Sequence, residues 1–558
     1  MAYGVLLLLI ILIIIFIKSY FNRRLVTKKR LAEIKALWGK PNKSYKNFKY
    51  IASYLTFYHE KNDISPGTST DLDIENIFDY IDRTSSKPGQ QYLYKQLHCL
   101  ETDPGYFSSL EEQIEKLCKT PHLREQIQLE LSKLNDSDAY YLPELFYKAH
   151  KSVFKPIAEL YIKLSAFIII LLAIAFSIVP NQFYVILLFI LIITNTIVHY
   201  SNKTKMFSYT HSLPQLLLLN KVSQWLADNE LLTQNDAIKQ SLANLSKLKK
   251  SLSFINLQNK VANDPTDITY LFTEWIKMFF LVEASVFVSS IKKVNKYLDD
   301  IKILFEAVAK IDMAISIQSV RDGLPYYCKP DIFTAESALS VTDLYHPLIE
   351  NCVSNSISIT NSRGVLITGS NMSGKTTFIR AIAVNTLFAQ TINTCCAGKY
   401  TAPMLNIFTS INMSDDMGGH KSYFQSEALS VLNIIDEAAK VKLVNSLVII
   451  DEIYRGTNTI ERIAAAKAVL SHLVENRNFV FVSTHDLELA ELLGDEYEVF
   501  SFEELIAGGD RLVFDYKIRH GLLKNKNGIA VLKKLGYPDS IIDEAYKIST
   551  QLRNKYNL

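Results

Sequence analysis

The sequence predicts a C-terminal α/β domain with a mainly parallel sheet, preceded by a mostly α-helical region that carries three transmembrane helices. From Gly364 onward, short β-rich runs alternate with helical stretches, which is typical of a parallel α/β sheet; the runs are Val365–Thr368, Leu447–Ile450 and Phe479–Ser483. Residues 207–320 have Lys, Glu and Asn interleaved with apolar residues and no two-residue alternation, which indicates helices. Three long apolar runs lie upstream of the sheet.

The 558 residues leave room for three or four domains. The formal net charge is only +3, from 60 basic and 57 acidic side chains, so any affinity for nucleic acid requires a local patch. Six cysteines without a CxxC pair favour a reducing compartment and no zinc site. The predicted segments are a transmembrane anchor (1–20), a cytoplasmic helical region (21–155), a transmembrane hairpin (156–200), a helical lever region (201–335), the α/β domain (336–520) and a C-terminal helical segment (521–558).

The first apolar run, Val5–Ile17, is short for a spanning helix, which usually needs about 20 residues. A cleaved signal peptide is the alternative, but it requires a basic start and a small-residue cleavage site. The chain starts Met-Ala-Tyr-Gly, and the basic residues follow the run instead of preceding it. We therefore expect an uncleaved anchor with its N-terminus outside.

The second and third runs, Leu164–Val179 and Phe183–Val198, are separated only by Pro180-Asn181-Gln182 and predict a helical hairpin in the membrane. A soluble core would need two adjacent helices that are apolar on every face, which is rare outside membranes. The turn has no Lys or Arg, whereas basic residues flank the outer ends: Lys148, Lys151, Lys155, Lys163, Lys203 and Lys205. The positive-inside tendency places both ends in the cytoplasm, as expected for a multi-pass inner-membrane protein with a cytoplasmic α/β domain.

A Gly-rich loop directly follows the first strand of the α/β domain. Residues 369–376 match G-x-x-x-x-G-K-[ST], in which backbone N–H groups and the following helix N-terminus surround phosphate oxygens. Lys375 supplies a charge for the β- and γ-phosphates, and Thr376 a hydroxyl for Mg²⁺. The predicted nucleotide-binding residues are Gly369, Ser370, Asn371, Met372, Ser373, Gly374, Lys375, Thr376 and Thr377.

Two further strands end in polar residues where ligands bind in open α/β sheets. After Leu447–Ile450, Asp451 is placed to hold Mg²⁺ together with Thr376, and Glu452 to act as general base for the attacking water. After Phe479–Ser483, His485 is placed to contact the γ-phosphate or the water. Together with the loop, these residues predict an ABC-like P-loop ATPase with ATP and Mg²⁺ as cofactors.

These motifs resemble those of the MutS family of DNA mismatch-repair ATPases. Residues 369–376 (Gly-Ser-Asn-Met-Ser-Gly-Lys-Thr) resemble the family's loop with Ser370 in place of proline, and residues 451–457 resemble its D-E-x-G-R-G-T with Tyr454 in place of glycine. His346-Pro347 and Asp82-Arg83-Thr84 extend the resemblance upstream. The stretch 415–424 is similar to the family's S-T-F segment, so the resemblance implies that Ser422 reaches the γ-phosphate of the opposite subunit.

The resemblance implies a homodimer with two composite ATP sites that acts on DNA. It also implies that segment 521–558 takes part in dimerisation. Residues 18–70 contain no Phe-x-Glu wedge, and 207–300 show no counterpart of the family's β-rich clamp, so we do not expect mismatch discrimination. A mechanochemical or scaffold ATPase that acts on membrane-proximal partners is a second reading. An ABC transporter is a third, but the L-S-G-G-Q signature is missing and three spans are few for a translocation path.

Overall fold

A computed structural model describes residues 21–556, except 22–23, 43–44, 59–63, 148–153, 233–234, 252–274, 333–337, 361, 371, 412–422, 441–444, 508–510, 523–528, 530–531 and 534–535. The first predicted span, residues 1–20, lies outside the described residues, as do the predicted site residues Asn371 and Ser422.

The described residues form helices in the first half of the chain and alternating strands and helices in the second. The helices are α1 (24–37), α2 (Phe48–Ile51), α3 (Ser53–Thr56), α4 (Pro66–Asp71), α5 (Ile74–Ile81), α6 (Lys87–His98), α7 (Pro104–Cys118), α8 (Pro121–Leu131), α9 (Glu144–Tyr147), α10 (Pro156–Ile178), α11 (Gln182–Asp228), α12 (Asp236–Ser251), α13 (Val282–Val294), α14 (Leu298–Gly323), α15 (Lys375–Thr391), α16 (Tyr423–Lys440), α17 (Thr459–Glu475), α18 (Leu487–Leu492) and α19 (Asp539–Tyr556). The strands are β1 (Leu339–Leu344), β2 (Asn355–Ile359), β3 (Gly364–Gly369), β4 (Lys399–Thr401), β5 (Leu405–Ser410), β6 (Asn445–Asp451), β7 (Phe479–Thr484), β8 (Tyr497–Ala507) and β9 (Arg511–His520).

The chain divides into two compact units. We name them the helical unit, made of Met1–His59, Asp82–Lys95 and Ser109–Asp322, and the sheet unit, made of Glu60–Ile81, Gln96–Ser108 and Gly323–Leu558.

The main sheet of the sheet unit has six strands in the order β5-β6-β7-β3-β8-β9. The pairs among β5, β6, β7, β3 and β8 are parallel, and only β9 runs antiparallel, at one edge. Every residue of β3 and β7 is buried, as expected for central strands that are covered on both faces. The prediction of a mainly parallel α/β sheet is therefore confirmed. A smaller antiparallel sheet, β2-β1-β4, belongs to the same unit.

Helices cover both faces of the main sheet. On one face, Leu366, Val448 and Val480 from three neighbouring strands share a core with residues of α16, α17 and α18. Alternate residues of a strand point to opposite faces, so Val365 and Ile367 face the other side. Helix α15 packs against β3, β5, β6 and β7 and is buried along nearly its whole length.

In the helical unit, α10 and α11 form an antiparallel pair joined by Val179, Pro180 and Asn181. The Asn181 side chain accepts a hydrogen bond from the Phe183 N–H at 2.9 Å and so caps α11. Pro156–Ile178 and Gln182–Asn202 are long and apolar enough to cross a membrane, with 17% and 11% of their most apolar windows buried. The predicted hairpin is therefore present as two helices with lipid-compatible surfaces.

The end of the hairpin that is remote from its turn packs against α13. Ile162 of α10 belongs to a buried cluster with Leu281, Ala284 and Phe287, and Val198 of α11 borders it. Polar contacts accompany this packing: the Tyr161 hydroxyl donates to Asn195 Oδ1 at 2.6 Å, and Asn195 Nδ2 donates to the Phe279 carbonyl at 2.5 Å. The Asn195 side chain is thus satisfied inside an otherwise apolar hairpin.

A buried carboxylate organises the middle of the helical unit. Asp312 on α14 is fully buried and accepts hydrogen bonds from the Ser85 N–H at 2.9 Å and the Ser86 N–H at 2.7 Å, just before α6 begins. A Cβ on Gly89 would lie 2.2 Å from Asp312 Oδ2, so only glycine allows this close approach. Asp312 therefore caps the N-terminus of α6 from another helix.

Candidate functional site

The loop between β3 and α15 has the curled backbone that its glycines predict. Gly369 and Gly374 adopt φ values of +150° and +111°, the second being typical of glycine. A Cβ at Gly369 would lie 2.8 Å from Ser373 Oγ and 2.9 Å from the Phe502 carbonyl oxygen. Lys375 starts α15, is buried, and donates from Nζ to the carbonyls of Gly369 at 2.8 Å and Ser370 at 2.9 Å. The loop therefore surrounds the Lys375 ammonium group.

The tip of β6 lies directly beside this loop, because β6, β7 and β3 are neighbours. Asp451 Oδ2 accepts a hydrogen bond from the Thr376 hydroxyl at 2.7 Å, and Asp451 Oδ1 accepts one from the Ser483 hydroxyl. A hydroxyl and a carboxylate are hard oxygen donors of the kind that Mg²⁺ prefers. No group of three or more His, Cys, Asp or Glu residues suited to a metal occurs in the described part of the chain.

Glu452 follows in the left-handed region, with φ of +56°, and its N–H donates to the Ser483 carbonyl at 2.9 Å. This turn directs its carboxylate to His485, whose Nε2 lies 3.0 Å from Oε1, and to Arg455, whose Nε lies 2.6 Å from Oε2. The hydrogen bond from His485, together with the charges of Arg455 and Lys375, holds the pKa of Glu452 below its usual value, against the opposing effect of burial. Glu452 is therefore ionised at neutral pH.

The contacts of His485 assign the hydrogen on its ring. Nε2 lies 3.0 Å from Glu452 Oε1 and 3.4 Å from Lys375 Nζ. An ionised carboxylate only accepts and an ammonium only donates, so Nε2 can hydrogen-bond to one of them at a time. The shorter distance favours an Nε2–H that donates to Glu452.

Tyr454 and Glu427 support this turn, and sequence reasoning did not single out Glu427. Tyr454 adopts a φ of +62°, and its N–H donates to Glu427 Oε1 at 2.5 Å. The Tyr454 ring is buried in the core beneath α16 and lies 5.9 Å from the Phe424 ring between centroids. In the sequence, Glu427 is only an acidic residue within an amphipathic helical stretch, and its burial is seen only in the structure.

A cavity of about 490 Å³ opens beside the loop. It is lined by loop and strand-tip residues (Ser370, Met372, Gly374, Lys375, Thr376, Thr377 and Glu452) and by residues of other segments (Tyr345, His346, Asn355, Phe502 and Tyr516). Burial and the Arg380 charge lower the pKa of His346 to about 4, so its imidazole is neutral. His346 Nδ1 accepts from the Leu348 N–H at 3.3 Å, whereas its buried Nε2 has no hydrogen-bond partner among the residues that the structure describes.

The structure thus brings together Lys375, Thr376, Asp451, Glu452 and His485. Ser373 lies inside the loop, where its hydroxyl donates to the Ser370 carbonyl at 2.9 Å, and Thr377 lines the cavity. Asn371 and Ser422 lie outside the described residues, so their predicted roles stay predictions.

Comparison with known proteins gives a consistent family for this region. Residues 365–553 match the family model of MutS domain V. Proteins named DNA mismatch repair protein MutS are similar to the chain: that of Clostridium botulinum (strain Alaska E43 / Type E3) is 32% identical over 287 residues, covering 49% of this chain and 30% of its own length. That of Thermotoga petrophila is 34% identical over 275 residues, covering 48% of this chain and 34% of its own length. That of Petrotoga mobilis is 30% identical over 287 residues, covering 50% of this chain and 34% of its own length.

The chain therefore spans about a third of the length of the curated relatives that it matches. The matched region contains the sheet, the loop and the polar strand tips described above. Residues 365–553, which carry the whole candidate site except for its upstream wall, are therefore similar to domain V of the MutS family.

Proposed function

We propose that this chain is a membrane-anchored MutS-like ATPase that binds and hydrolyses Mg²⁺-ATP as a homodimer and acts on DNA. The observation that carries the proposal is the convergence of Lys375, Thr376 and Glu452 on one cavity of about 490 Å³, with Asp451 hydrogen-bonded to Thr376. The printed names of the relatives, DNA mismatch repair protein MutS, support DNA as the substrate.

The residues divide the work of hydrolysis between charge and positioning. Lys375 is held by two carbonyls of its own loop, and a phosphate oxygen is a stronger acceptor for its ammonium group than either of them. Thr376 and Asp451 are the oxygen donors that would hold Mg²⁺, which neutralises charge on the phosphates when it is bound. The N–H groups at the start of α15 add the positive end of its dipole.

Glu452 is the group that can accept a proton from the attacking water. Its lowered pKa keeps it ionised, and its contacts with His485 and Arg455 hold the carboxylate in one orientation. Orientation matters because a base must lie within hydrogen-bond reach of the proton that it removes. We assign His485 to positioning Glu452 and to sensing the γ-phosphate.

The part of the cavity lined by Tyr345, His346 and Phe502 suits a purine. His346 is neutral and its Nδ1 accepts a hydrogen bond, so Nε2 carries a hydrogen and requires an acceptor. A purine ring nitrogen is such an acceptor, and the neighbouring Tyr345 and Phe502 provide apolar surface for a flat ring. This arrangement favours a nucleotide over an inorganic polyphosphate.

The first test measures nucleotide binding and turnover by the full-length protein in detergent. Lys375→Ala should weaken binding of Mg²⁺-ATP and abolish most turnover. Lys440→Ala is the matched control, because Lys440 lies on the exposed face of α16 in an ion pair with Glu437. Equal affinity for ATP in the Lys375→Ala protein and the wild type would remove this loop as the phosphate site.

The second test asks whether DNA is the macromolecule on which this ATPase acts. ATP turnover should rise when duplex, branched or mismatched DNA is added at low salt. The two apolar helices favour a second candidate, a mechanochemical or scaffold ATPase that moves membrane-proximal partners. An active ATPase that no DNA stimulates or binds would support that second function.

A further inference from the structure

A second apolar segment reaches the hairpin at the end remote from its turn. Residues 275–279 are helical, a turn follows at 280–281, and α13 begins at Val282. Leu281 adopts the left-handed conformation, with φ of 46° and ψ of 41°, which is strained for a residue other than glycine. Leu281 is nevertheless fully buried against Ile162, so packing compensates for this strain. We refer to Trp275–Leu281 as the interfacial turn.

The interfacial turn is fastened to the hairpin by hydrogen bonds. Asn195 is fully buried and donates to the Phe279 carbonyl at 2.5 Å, while Tyr161 donates to Asn195 at 2.6 Å. In an apolar helix a polar side chain needs such a partner, and hydrogen bonds between membrane helices stabilise their association. The turn is therefore held at a fixed height on the hairpin.

That height can be read from the helix geometry. Asn195 lies about 20 Å along α11 from Gln182, at a rise of about 1.5 Å per residue. The apolar run Phe183–Val198 is about 24 Å long by the same measure. Phe279 is thus bonded about 5 Å inside the end of the apolar run, where acyl chains give way to headgroups.

The surface chemistry at this level is that of a membrane interface. Trp275 and Ile276 are 53% and 51% exposed. Tyr200, which follows Asn195 on α11, is also exposed. Tryptophan and tyrosine are enriched at the headgroup level of membrane proteins. The charge on Lys277 is balanced by Glu283, 3.7 Å away, and both side chains are mostly covered, so the turn presents no unpaired charge from this pair to lipid.

We propose that the interfacial turn inserts into the cytoplasmic leaflet beside the hairpin, with Trp275 and Ile276 in contact with lipid. The inference rests on the membrane part of the proposed function and adds a lipid contact from a segment about 75 residues beyond the hairpin. The occupant is the bilayer, because the turn is hydrogen-bonded to the apolar hairpin and exposes Trp275 and Ile276 at that level.

The test uses tryptophan quenching by brominated lipid. The full-length protein is reconstituted into phosphatidylcholine vesicles whose acyl chains carry bromine either near the headgroup or near the chain end. The Trp275 signal is the difference between the wild type and Trp275→Phe. We expect shallow bromines to remove most of this signal and deep bromines to remove much less.

A second variant separates the two levels of the proposal. Phe167 is exposed in the middle of α10, so Phe167→Trp in the Trp275→Phe background should be quenched most by deep bromines. If Phe167→Trp is quenched and Trp275 is not, the interfacial turn is refuted while the hairpin stays in the membrane. If neither is quenched, the membrane hairpin itself fails and the inference fails with it. A Trp275 signal shielded from water but insensitive to lipid bromine means a protein partner, which also overturns the inference.

Asn195→Leu tests the attachment. This substitution leaves the Phe279 carbonyl without its donor, so the turn should withdraw from the leaflet and the shallow quenching of Trp275 should fall. Adding Asn195→Leu to the Trp275→Phe, Phe167→Trp protein should leave its quenching by deep bromines unchanged. Unaltered shallow quenching of Trp275 would show that the hydrogen bond does not hold the turn in lipid.

Discussion

Glu452 combines an unfavourable backbone conformation with the most highly charged surroundings of the site. Its left-handed φ of +56° costs on the order of 1 kcal/mol, and such strain persists where the surrounding structure fixes it. The contacts with His485 and Arg455 supply that fixation. The conformation places the carboxylate beside the Lys375 loop, whereas an ordinary strand continuation would direct it elsewhere.

Glu452→Gln should keep ATP binding and slow hydrolysis by on the order of 100-fold or more, because an amide cannot accept the proton from water. Single-turnover hydrolysis and ATP binding by the purified protein would measure the two effects separately. Glu437→Gln on exposed α16 serves as the control for the same chemical change. Near-normal turnover by the Glu452 variant would exclude it as the base.

Tyr454 shows how burial outweighs strain at a position where the family pattern has glycine. Its φ of +62° is costly for tyrosine, but its ring is buried in the core beside α16, which stabilises by about 1.5–3 kcal/mol. Both Tyr454→Ala and Tyr454→Gly should destabilise the sheet unit through loss of this ring. Glycine relieves the backbone strain and alanine does not, so the glycine variant should be the more stable by about 1 kcal/mol.

Thermal unfolding of the two Tyr454 variants in detergent would give that order. A glycine variant that unfolds at a lower temperature than the alanine variant would show that flexibility of the unfolded chain dominates at this position.

Most residues of the site were predictable because motifs place them at strand tips, and parallel strands bring their tips to one edge. Lys375, Thr376, Asp451, Glu452 and His485 do converge. Arg455 was not assigned a role in the site, although its ion pair with Glu452 joins residues only three apart. Glu427 and the cavity lining at His346 were not assigned roles because their positions depend on how α16 and the segment after β1 pack. No local pattern encodes such packing.

Among the helices, α6 depends on a cap that comes from a distant part of the sequence. Asp312 is fully buried, and burial raises its pKa to about 7 despite hydrogen bonds from Ser85 and Ser86. The folded state therefore binds more protons than the unfolded state between about pH 4 and pH 7. The contribution of Asp312 to stability therefore falls as pH rises through this window and is constant on either side of it.

Asp312→Asn should abolish this contribution, so the thermal midpoint of the wild type should fall relative to that of the variant between about pH 4.5 and 7.5. The full shift corresponds to at most about 4 kcal/mol. Thermal unfolding in detergent across this range measures the difference. Parallel pH profiles for the two proteins would show that Asp312 does not titrate in this window.

The hairpin was predictable from composition alone, whereas the interfacial turn was not. Apolar runs of about bilayer length identify spanning helices because lipid demands them over a continuous stretch. The turn is short, and only the Asn195–Phe279 hydrogen bond and the packing of α13 reveal where it lies. Contacts between segments about 80 residues apart leave no periodic signal in the sequence.

For the whole molecule, the first prediction is topology. A reporter fused after Leu558 should be cytoplasmic, and Asn181→Cys should react with a membrane-impermeant maleimide added to intact cells. The unsubstituted protein, with its six native cysteines on the predicted inner side, gives the background. Labelling of Asn181→Cys only after lysis would overturn the orientation of the hairpin.

The second whole-molecule prediction is that the protein does not distinguish mismatched from matched duplex DNA. A mismatch reader inserts an aromatic wedge between base steps, and residues 18–70 contain no Phe-x-Glu motif. Binding would then rest on phosphate contacts, which are blind to sequence and weaken steeply with salt. Titration of G·T and perfect duplexes at two salt concentrations should give equal affinities. A preference of about tenfold for the mismatch, or about 1.4 kcal/mol, would show that the protein does recognise mismatches.

Helix α11 has a mechanical consequence for the helical unit. It runs without interruption for 47 residues, or about 70 Å, of which only Gln182–Asn202 is apolar enough for lipid. Helices bend sharply at proline, and Pro214 is the single proline within α11, so the part before it, residues 182–213, acts as a stiff rod. In the proposed membrane-anchored state, a thicker or thinner bilayer tilts this rod, and the tilt reaches the bend at Pro214, outside the lipid. Membrane thickness, and with it the acyl-chain length of the host lipids, would then act as a mechanical input at Pro214.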